Sequence, residues 1–267
     1  MKCRMLCLDL DGTLLTDGKA IGRADRDAIR RAAASGVKVA LVTGRMPAAT
    51  DSAVIQLGIP CIRACNAGTY ILKGEQCIHA EYLPVKSMMG IYESIRPFGI
   101  PLWIFRDRQW FVTAKDRFVE EEETLIHYGA ETVDVEILAR KWEIEHTGPN
   151  KVLVGTEPLL VQEIYGILRS RTDADMACSS ENFLEIFPRG MNKGKALRLI
   201  CGEEGVDVRE TMAFGDQELD IPMLEEAGIA VAMGNGIAEI KRRADFITKT
   251  NNESGIAHAL EHYRDLF

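Results

Sequence analysis

The sequence is poor in histidine and aromatic residues, and it lacks a long apolar segment. Five of its 267 residues are histidines and 7% are aromatic. No run approaches the roughly 20 apolar residues that span a bilayer, and the opening MKCRMLCLDLDG is too soon interrupted by aspartates to be a signal peptide. The net charge of -8 also excludes a large cationic surface for nucleic acid or anionic lipid. We therefore expect a soluble, cytoplasmic protein that binds neither nucleic acid nor membranes.

Paired cysteine motifs are missing as well. The seven cysteines are an odd number, they are spread through apolar segments, and none forms a CxxC pair: Cys3, Cys7, Cys61, Cys65, Cys77, Cys178 and Cys201. This distribution argues against a disulfide framework and against a zinc site. We expect reduced cysteines in the core of a protein from a reducing compartment.

Strands and helices are predicted to alternate at both ends of the chain. CRMLCLDL and VKVALV are short apolar runs typical of strands covered on both faces, and an amphipathic segment from Arg23 to Ser35 separates them. The same alternation returns with a helix from Lys193 and the apolar strands TMAFGD and IAVAMGN. The pattern predicts an α/β fold with a Rossmann-like parallel sheet.

The middle of the chain has a different pattern. LWIFR and WFVT are separated by a short turn, and the strands KVLVG, ADMACS and FLEIF follow among helices. These are signals of antiparallel pairing. We therefore predict a core built from residues 1–81 and 186–267, with an inserted α+β cap domain over residues 82–185.

Three polar clusters follow predicted parallel strands: DLDGT, TGR and GDQELD. Ligands of open parallel sheets bind at the carboxyl ends of the strands, so we expect the three clusters to form one site. Asp9, Asp11, Asp216 and Asp220 would bring four carboxylates there, which repel one another unless a cation binds or some are protonated. All-oxygen ligands without nearby histidine or cysteine favour a hard cation such as Mg²⁺.

DLDGTLL, TGR, the lysine of RGMNKGKAL and GDQELD occur in this order along the chain. Together they resemble the four motifs of the haloacid dehalogenase superfamily of aspartate-nucleophile phosphatases. The position of the insert and the late AMGNG resemble the Cof-type subfamily, whose type IIB cap is an α+β lid. The resemblance covers essentially the whole chain.

The resemblance implies a role for each acidic residue. Asp9 matches the nucleophile that forms an aspartyl-phosphate, and Asp11 matches the general acid and base. Mg²⁺ is expected on Asp9, on the backbone carbonyl of Asp11 and on Asp216. Asp220 is expected to orient the waters of the metal or Lys193.

The remaining matched residues are expected to bind the substrate. Thr43 matches the residue that offers hydroxyl and backbone donors to the phosphate, and Gly44 allows close approach of the backbone. Lys193 matches the cation that stabilises the transferring phosphoryl group and keeps Asp9 ionised. Asn66 is expected to help position the phosphate or the cap hinge.

Two positions depart from the subfamily pattern. The fourth motif commonly contains asparagine where this chain has Leu219, and the segment after the third strand is Asn66-Ala67-Gly68 where the subfamily tends to have Asn-Gly-Ala. Neither change removes a charged group from the expected mechanism. We expect activity to survive, with altered efficiency or substrate range.

These observations lead to three functional hypotheses. The first is a Mg²⁺-dependent phosphatase that acts on small phosphorylated metabolites, most plausibly sugar phosphates. The second is a sugar phosphomutase of the phosphomannomutase type, which shares the aspartyl-phosphate and a similar cap. The third is a weakly active protein that binds a phosphorylated ligand and regulates, a hypothesis that Leu219 keeps open. The oligomeric state does not follow from the sequence.

Overall fold

The computed structural model describes residues 2–267, with fourteen strands and ten α-helices in that part of the chain. The strands are β1 (Met5–Leu8), β2 (Lys38–Val42), β3 (Ile62–Cys65), β4 (Tyr70–Lys73), β5 (Gln76–Ala80), β6 (Leu102–Arg106), β7 (Gln109–Val112), β8 (Glu131–Thr132), β9 (Lys151–Gly155), β10 (Asp175–Ser180), β11 (Phe183–Phe187), β12 (Thr211–Gly215), β13 (Ile229–Ala232) and β14 (Phe246–Ile247). The helices are α1 (Arg23–Ala34), α2 (Asp51–Leu57), α3 (Val85–Ile95), α4 (Arg117–Ile126), α5 (Val135–Ile144), α6 (Pro158–Leu168), α7 (Lys193–Glu204), α8 (Ile221–Glu226), α9 (Ala238–Arg243) and α10 (Gly255–His262).

The chain divides into two compact units. The first contains the residues up to Arg45 together with Thr50–Ile78 and Asn192–Phe267, and the second contains Met46–Ala49 and His79–Met191. The second unit is wider at both ends than the expected insert of residues 82–185. The C-terminal boundary of the second unit lies beyond residue 185 because β11, which belongs to the antiparallel sheet, continues to Phe187.

The first unit contains an eight-stranded sheet in the order β14-β13-β12-β1-β2-β3-β4-β5. The strands from β14 to β3 are parallel, and β4 pairs with β3 in the antiparallel direction. Leu8 of β1 pairs with Phe214 of β12 and with Leu41 of β2. The three central strands therefore end side by side, and the predicted α/β class with a parallel sheet is confirmed.

Burial explains why β1 is central. All four of its residues are buried, which is typical of a parallel strand covered on both faces. On one face Ile29 of α1 and Ile256 of α10 belong to the same apolar cluster as Leu6 and Leu8. On the other side, α7 packs closely on α8: a Cβ atom at Gly194 would lie 2.4 Å from the carbonyl oxygen of Pro222. Glycine is thus required where the two helices meet.

The second unit is a mainly antiparallel sheet with α3, α5 and α6 on one face and α4 against the other. The strand order is β10-β11-β9-β6-β7-β8, and β8 is the one strand that pairs in parallel. The side chains of β6 alternate, so that Leu102 and Ile104 join the apolar cluster of α3, α5 and α6, whereas Trp103 and Phe105 belong to a separate cluster. This unit has a core of its own.

Several details differ from the sequence-based expectations. The charged segment from Glu120 to Tyr128 indicates a helix, and the helix there is α4, which begins and ends earlier; α5 was not expected from the sequence. The expectation that the cysteines are core residues is wrong for Cys77, which is exposed on β5, and for Cys61 and Cys178, which are half-buried; within residues 2–267 none of the seven cysteines forms a disulfide. Within residues 2–267 no helix has the length and apolarity to cross a bilayer.

Candidate active site

Three aspartates form a buried cluster at the carboxyl ends of β1 and β12. Asp9 directly follows β1, Asp216 directly follows β12, and Asp220 ends the short 3-10 turn that comes next. One carboxylate oxygen of each lies within 4.8 Å of the others, and none of the three residues is more than 5% exposed. Three carboxylates at this distance and burial raise one another's proton affinity unless cations balance them.

Lys193 supplies one of those cations. It is the first residue of α7, and its Nζ lies 2.6 Å from Oδ1 of Asp9 while it also donates a hydrogen bond to Oδ1 of Asp220. Burial opposes the charge on Lys193, but the carboxylates of Asp220 and Asp9 outweigh it and raise the pKa of this ammonium group above its ordinary value. The buried lysine therefore stays protonated.

One ammonium group does not neutralise three carboxylates. Burial and the charge of Asp220 raise the pKa of Asp9 well above its ordinary value despite the contact with Lys193. The same two causes raise the pKa of Asp216 to about 6, against a hydrogen bond from Thr13. The aspartate cluster carries excess negative charge and offers only oxygen atoms as metal ligands. These properties fit a hard divalent cation such as Mg²⁺.

Asp220 has its oxygens occupied within the protein. Its Oδ2 accepts hydrogen bonds of 3.0 Å from the backbone N–H groups of Asp216 and Gln217, while its Oδ1 accepts from Lys193. This pattern fixes the orientation of the turn and of Lys193. Gly215 allows the arrangement, because a Cβ atom there would lie 2.4 Å from Cβ of Asp220.

Asp216 is oriented by the loop after β1. Its Oδ1 accepts a 2.9 Å hydrogen bond from the hydroxyl of Thr13. A Cβ atom at Gly12 would lie 2.3 Å from Oδ2 of Asp216, and Gly12 has a φ of +78°. Only glycine suits both the close approach and this backbone conformation. Gly12 and Thr13 of the DGT segment thus explain why this motif contains more than its two aspartates.

The carboxylate of Asp11 is not part of the buried cluster. It is 42% exposed and bound by two cations, since Oδ1 accepts hydrogen bonds of 2.7 Å from Arg45 and from Lys19, and Nε of Arg45 donates to Oδ2. Burial acts to raise the pKa of Asp11, but the bonds from Arg45 and Lys19 outweigh it and lower this pKa to about 2. Asp11 is therefore a carboxylate at neutral pH in this structure.

Sequence reasoning gave no role to Arg45 or to Lys19. Arg45 is the last residue of the TGR segment, which was expected at the same site as the aspartates. An arginine expected near several acidic residues could have indicated an ion pair with one of them. Lys19 carried no signal, because its contact with Asp11 depends on the tight turn in which Thr16 N–H donates to Ala20 and Lys19 takes a φ of +59°.

Thr43 lies at the end of β2, next to β1. It is 2% exposed, and its Oγ1 accepts a hydrogen bond of 3.2 Å from the backbone N–H of Arg45. Because that contact uses the oxygen as an acceptor, the hydroxyl hydrogen can be donated to a ligand. Gly44 is half-buried in the same loop.

Asn66 follows β3 and contacts the same loop. Its backbone N–H donates to the carbonyl of Arg45 at 2.8 Å, and its side chain is fully buried. Neither Oδ1 nor Nδ2 of Asn66 has a hydrogen-bond partner among residues 2–267. A buried amide without partners is costly, so a polar ligand or a bound water is the expected partner. Asn66, Ala67 and Gly68 all have positive φ, of 51°, 60° and 94°.

Comparison with known proteins agrees with this geometry. The family model described as haloacid dehalogenase-like hydrolase matches residues 6–260. A 5-amino-6-(5-phospho-D-ribitylamino)uracil phosphatase of Bacillus subtilis is 27% identical over 98% of this chain and 97% of its own length. An HMP-PP phosphatase of Yersinia pseudotuberculosis is 25% identical over 97% and 95%. The solved structure of a subclass IIB sugar phosphatase, 24% identical, has the same fold with a TM-score of 0.87 over 99% of this chain and 100% of that one.

Proposed function

Because this chain belongs to the haloacid dehalogenase-like hydrolases, we propose that it is a Mg²⁺-dependent phosphatase of the Cof type (subclass IIB) that acts on small phosphorylated metabolites. The observation that carries the proposal is the buried contact of Lys193 with Asp9 and Asp220, next to Asp216. The carboxylate of Asp9 lies beside one fixed cation, Lys193, in a cluster with excess negative charge. This environment suits an anionic nucleophile that works with a metal ion.

The metal would be held by Asp9, Asp216 and the backbone carbonyl of Asp11. When bound, Mg²⁺ screens the repulsion between the nucleophile and the phosphate and stabilises charge on the phosphate oxygens. Thr13 keeps Asp216 oriented for this purpose through its 2.9 Å hydrogen bond.

The proposed reaction has two displacements at phosphorus. A carboxylate oxygen of Asp9 attacks, the bond from phosphorus to the ester oxygen breaks, and Asp11 gives a proton to the leaving alkoxide. Water then attacks the aspartyl-phosphate and passes a proton to Asp11, which releases inorganic phosphate and restores Asp9. Lys193 keeps Asp9 oriented throughout and, together with the metal when it is bound, would favour the ionised form of Asp9, and Asp220 keeps Lys193 in place.

Asp11 must hold a proton before it can act as an acid. The cations of Arg45 and Lys19 hold it ionised in this structure. A bound phosphate offers both cations a competing anion, and the loss of their hydrogen bonds together with the nearby negative charge of the phosphate raises the pKa of Asp11. In this proposal substrate binding therefore prepares the acid for the first step.

Thr43, Gly44 and Asn66 are proposed to bind the phosphoryl group. The free hydroxyl hydrogen of Thr43 and the unpartnered Nδ2 group of Asn66 supply neutral donors near the carboxyl ends of adjacent strands. Preorganised donors of this kind are worth more in a buried site than in water. The contact of Asn66 N–H with Arg45 links this pair to the cation that binds Asp11.

A sugar phosphate is the proposed substrate. Two relatives are named as phosphatases of phosphorylated small molecules. The name of the Bacillus subtilis relative describes a substrate with a phosphorylated ribityl chain. The insert, proposed as a type IIB cap over residues 82–185, would select among such compounds. We place the reaction in the cytoplasm, with no nucleic-acid or membrane partner.

The test is a panel of sugar phosphates assayed with Mg²⁺ for both inorganic phosphate and isomeric products. We expect phosphate release by the wild-type protein, a loss of roughly 10⁴-fold or more in Asp9→Asn, and no turnover in chelator. Asp265→Asn, at a side chain that is 97% exposed, is the matched control. Isomers without phosphate release would show a mutase, and full activity of Asp9→Asn would exclude the proposed nucleophile.

A further inference from the structure

The first unit contains a cavity of ≈ 320 Å³ at the edge of the sheet opposite to the aspartate cluster. It is bordered by the start of β2, the start of β3 and the end of the antiparallel strand β4, whereas Asp9, Thr43 and Asp216 follow the carboxyl ends of their strands. The C-terminal residue of α7, Glu204, completes its wall. No residue of this cavity has a part in the proposed hydrolysis.

A carboxylate between two lysines is the main polar feature of this cavity. The side chain of Glu204 is 6% exposed, and it forms ion pairs with Lys38 and, at 2.7 Å, with Lys73. Burial acts to raise the pKa of Glu204, but the two ammonium groups outweigh it, so this pKa is lowered and the carboxylate is charged. Among the residues that line the cavity, two lysines and one glutamate leave one positive charge in excess; Glu203, outside the lining, contributes a weaker negative charge at Lys73.

The lysines keep hydrogen-bond donors that Glu204 does not use. Each ammonium group has three N–H donors. Lys38 uses two of its donors, on Oε2 and on the backbone oxygen of Glu204, whereas Nζ of Lys73 forms an ion pair with Oε1 of Glu204 at 2.7 Å. The side chains of Lys38 and Lys73 are 38% and 50% exposed. An anion can therefore bind them without displacing Glu204.

The rest of the wall is largely apolar. Its aliphatic side chains are those of Ala33, Val37, Val39, Pro60 and Ile62. Gly36 and Gly74 border open space, because a Cβ atom at either position would meet nothing within 4 Å. Small-molecule sites commonly combine such walls with a few polar groups that orient the ligand.

We propose that this cavity binds a small monocarboxylate with an apolar body, such as an aromatic or short aliphatic acid. The single excess positive charge between Lys38, Lys73 and Glu204 matches one negative charge. A phosphate dianion would bring a second charge next to the carboxylate of Glu204 and is disfavoured by repulsion. The apolar body of the acid can be buried against the aliphatic side chains of the wall, which removes its apolar surface from water.

This site is separate from the aspartate cluster. Lys193 and Glu204 are the first and last residues of the twelve-residue helix α7. A rise of about 1.5 Å per residue puts their backbones roughly 16 Å apart along the helix. The proposal is therefore independent of the proposed hydrolysis, and Asp9→Asn should leave acid binding unchanged.

Benzoate titrated into the ¹⁵N-labelled full-length protein and followed by NMR tests the proposal. We expect saturable shifts at the amides of Gly36, Lys38 and Gly74. Lys73→Gln should weaken binding about fivefold because one half-exposed charge contact is lost. Lys86→Gln, an exposed lysine on α3, is the matched control and should bind like the wild-type protein.

Two further variants separate the contributions of charge and shape. Glu204→Gln removes the competing carboxylate and should tighten benzoate binding several-fold, whereas Ala33→Leu should abolish binding by filling the cavity. Acetate, which lacks the apolar body, and inorganic phosphate should bind more weakly than benzoate. Absence of saturable benzoate shifts, equal binding by Lys73→Gln, or tighter binding of phosphate than of benzoate would each overturn the proposal.

Discussion

Asp9 and Asp11 are two residues apart at the end of one strand, yet their surroundings are opposite. Asp9 is buried with two other carboxylates and one lysine, and its pKa is raised. Asp11 is half-exposed between Arg45 and Lys19, and its pKa is lowered to about 2. The same side chain thus acquires different chemistry from its neighbours. In our proposal the first serves as nucleophile and the second exchanges protons.

After Asp9→Asn, the largest expected effect concerns Asp11→Asn. Loss of the proton donor should lower kcat for a sugar phosphate by roughly 10²-fold to 10⁴-fold. The loss in the first step should be much smaller for p-nitrophenyl phosphate, whose leaving group needs no proton. A stopped-flow burst of p-nitrophenolate followed by slow turnover is the expected signature. An equal loss of the burst and of the turnover would contradict the separate roles of the two aspartates.

Gly12→Ala tests how the buried cluster is held together. The new Cβ atom would lie 2.3 Å from Asp216, so that Asp216 or the loop must move. We expect a cost of about 3 kcal/mol in unfolding free energy, from the left-handed backbone and from the overlap together.

Gly190→Ala is the control for this prediction, because Gly190 has a similar φ of +74° with nothing within 4 Å of its would-be Cβ atom. It should cost only about 1 kcal/mol. Chemical denaturation measures both variants. Equal costs would mean that the close approach of Gly12 to Asp216 has no energetic consequence.

Metal binding should stabilise the protein in a pH-dependent manner. The pKa of Asp216 is about 6 in the folded protein and ordinarily 3.8, so folding stability without metal falls as the pH rises from 3.8 to about 6. Mg²⁺ should offset this loss where Asp216 is ionised, by about 2.7 kcal/mol at a hundredfold excess over Kd.

Thermal unfolding with and without Mg²⁺ at pH 5 and pH 7.5 measures this effect. The increase in Tm should be larger at pH 7.5, and Asp216→Asn should remove it. A larger increase at pH 5 would contradict the assignment of Asp216 as a ligand.

The smallest effect is expected at Lys19. Lys19→Gln removes one of the two cations on Asp11, so the pKa of Asp11 should rise from about 2 toward 3.8. A lowered carboxyl pKa stabilises the folded protein at pH values above the ordinary pKa of 3.8, and this stabilisation is lost as the pH falls through about 2. Because the variant has a smaller pKa shift, it should also lose a little stability at neutral pH. Carboxylate ¹³C NMR titration measures the pKa, and Lys86→Gln is the control. An unchanged pKa would show that Arg45 alone determines it.

The sequence predicts the framework better than the contacts. Parallel strands were recognisable because apolar runs such as VKVALV end in polar turns, and this same pattern brought Asp9 and Asp216 into one hypothesis, which Lys193 joined only through the family resemblance. Asp220 was expected near Lys193, and the structure brings the two into contact. Helix α5 was missed although Val135, Leu138, Ala139 and Trp142 have helical spacing, since its charged residues obscured the pattern.

The environment of Asp11 could not be derived from the sequence. It depends on a lysine eight residues away in a tight turn and on an arginine 34 residues away, and no local pattern encodes either contact. The same holds for Asn66: its type was legible, but its burial without a partner follows from the packing around three successive residues with positive φ.

The account depends most directly on covalent chemistry at Asp9. The wild-type protein is mixed with Mg²⁺ and a phosphate ester that it hydrolyses, and the reaction is quenched with borohydride. Borohydride reduces an acyl phosphate to an alcohol. The peptides of the quenched protein are then sequenced by mass spectrometry. We predict homoserine at position 9, and none there in Asp9→Asn. Reduction at another carboxylate, or unmodified Asp9 during steady turnover, would contradict the account.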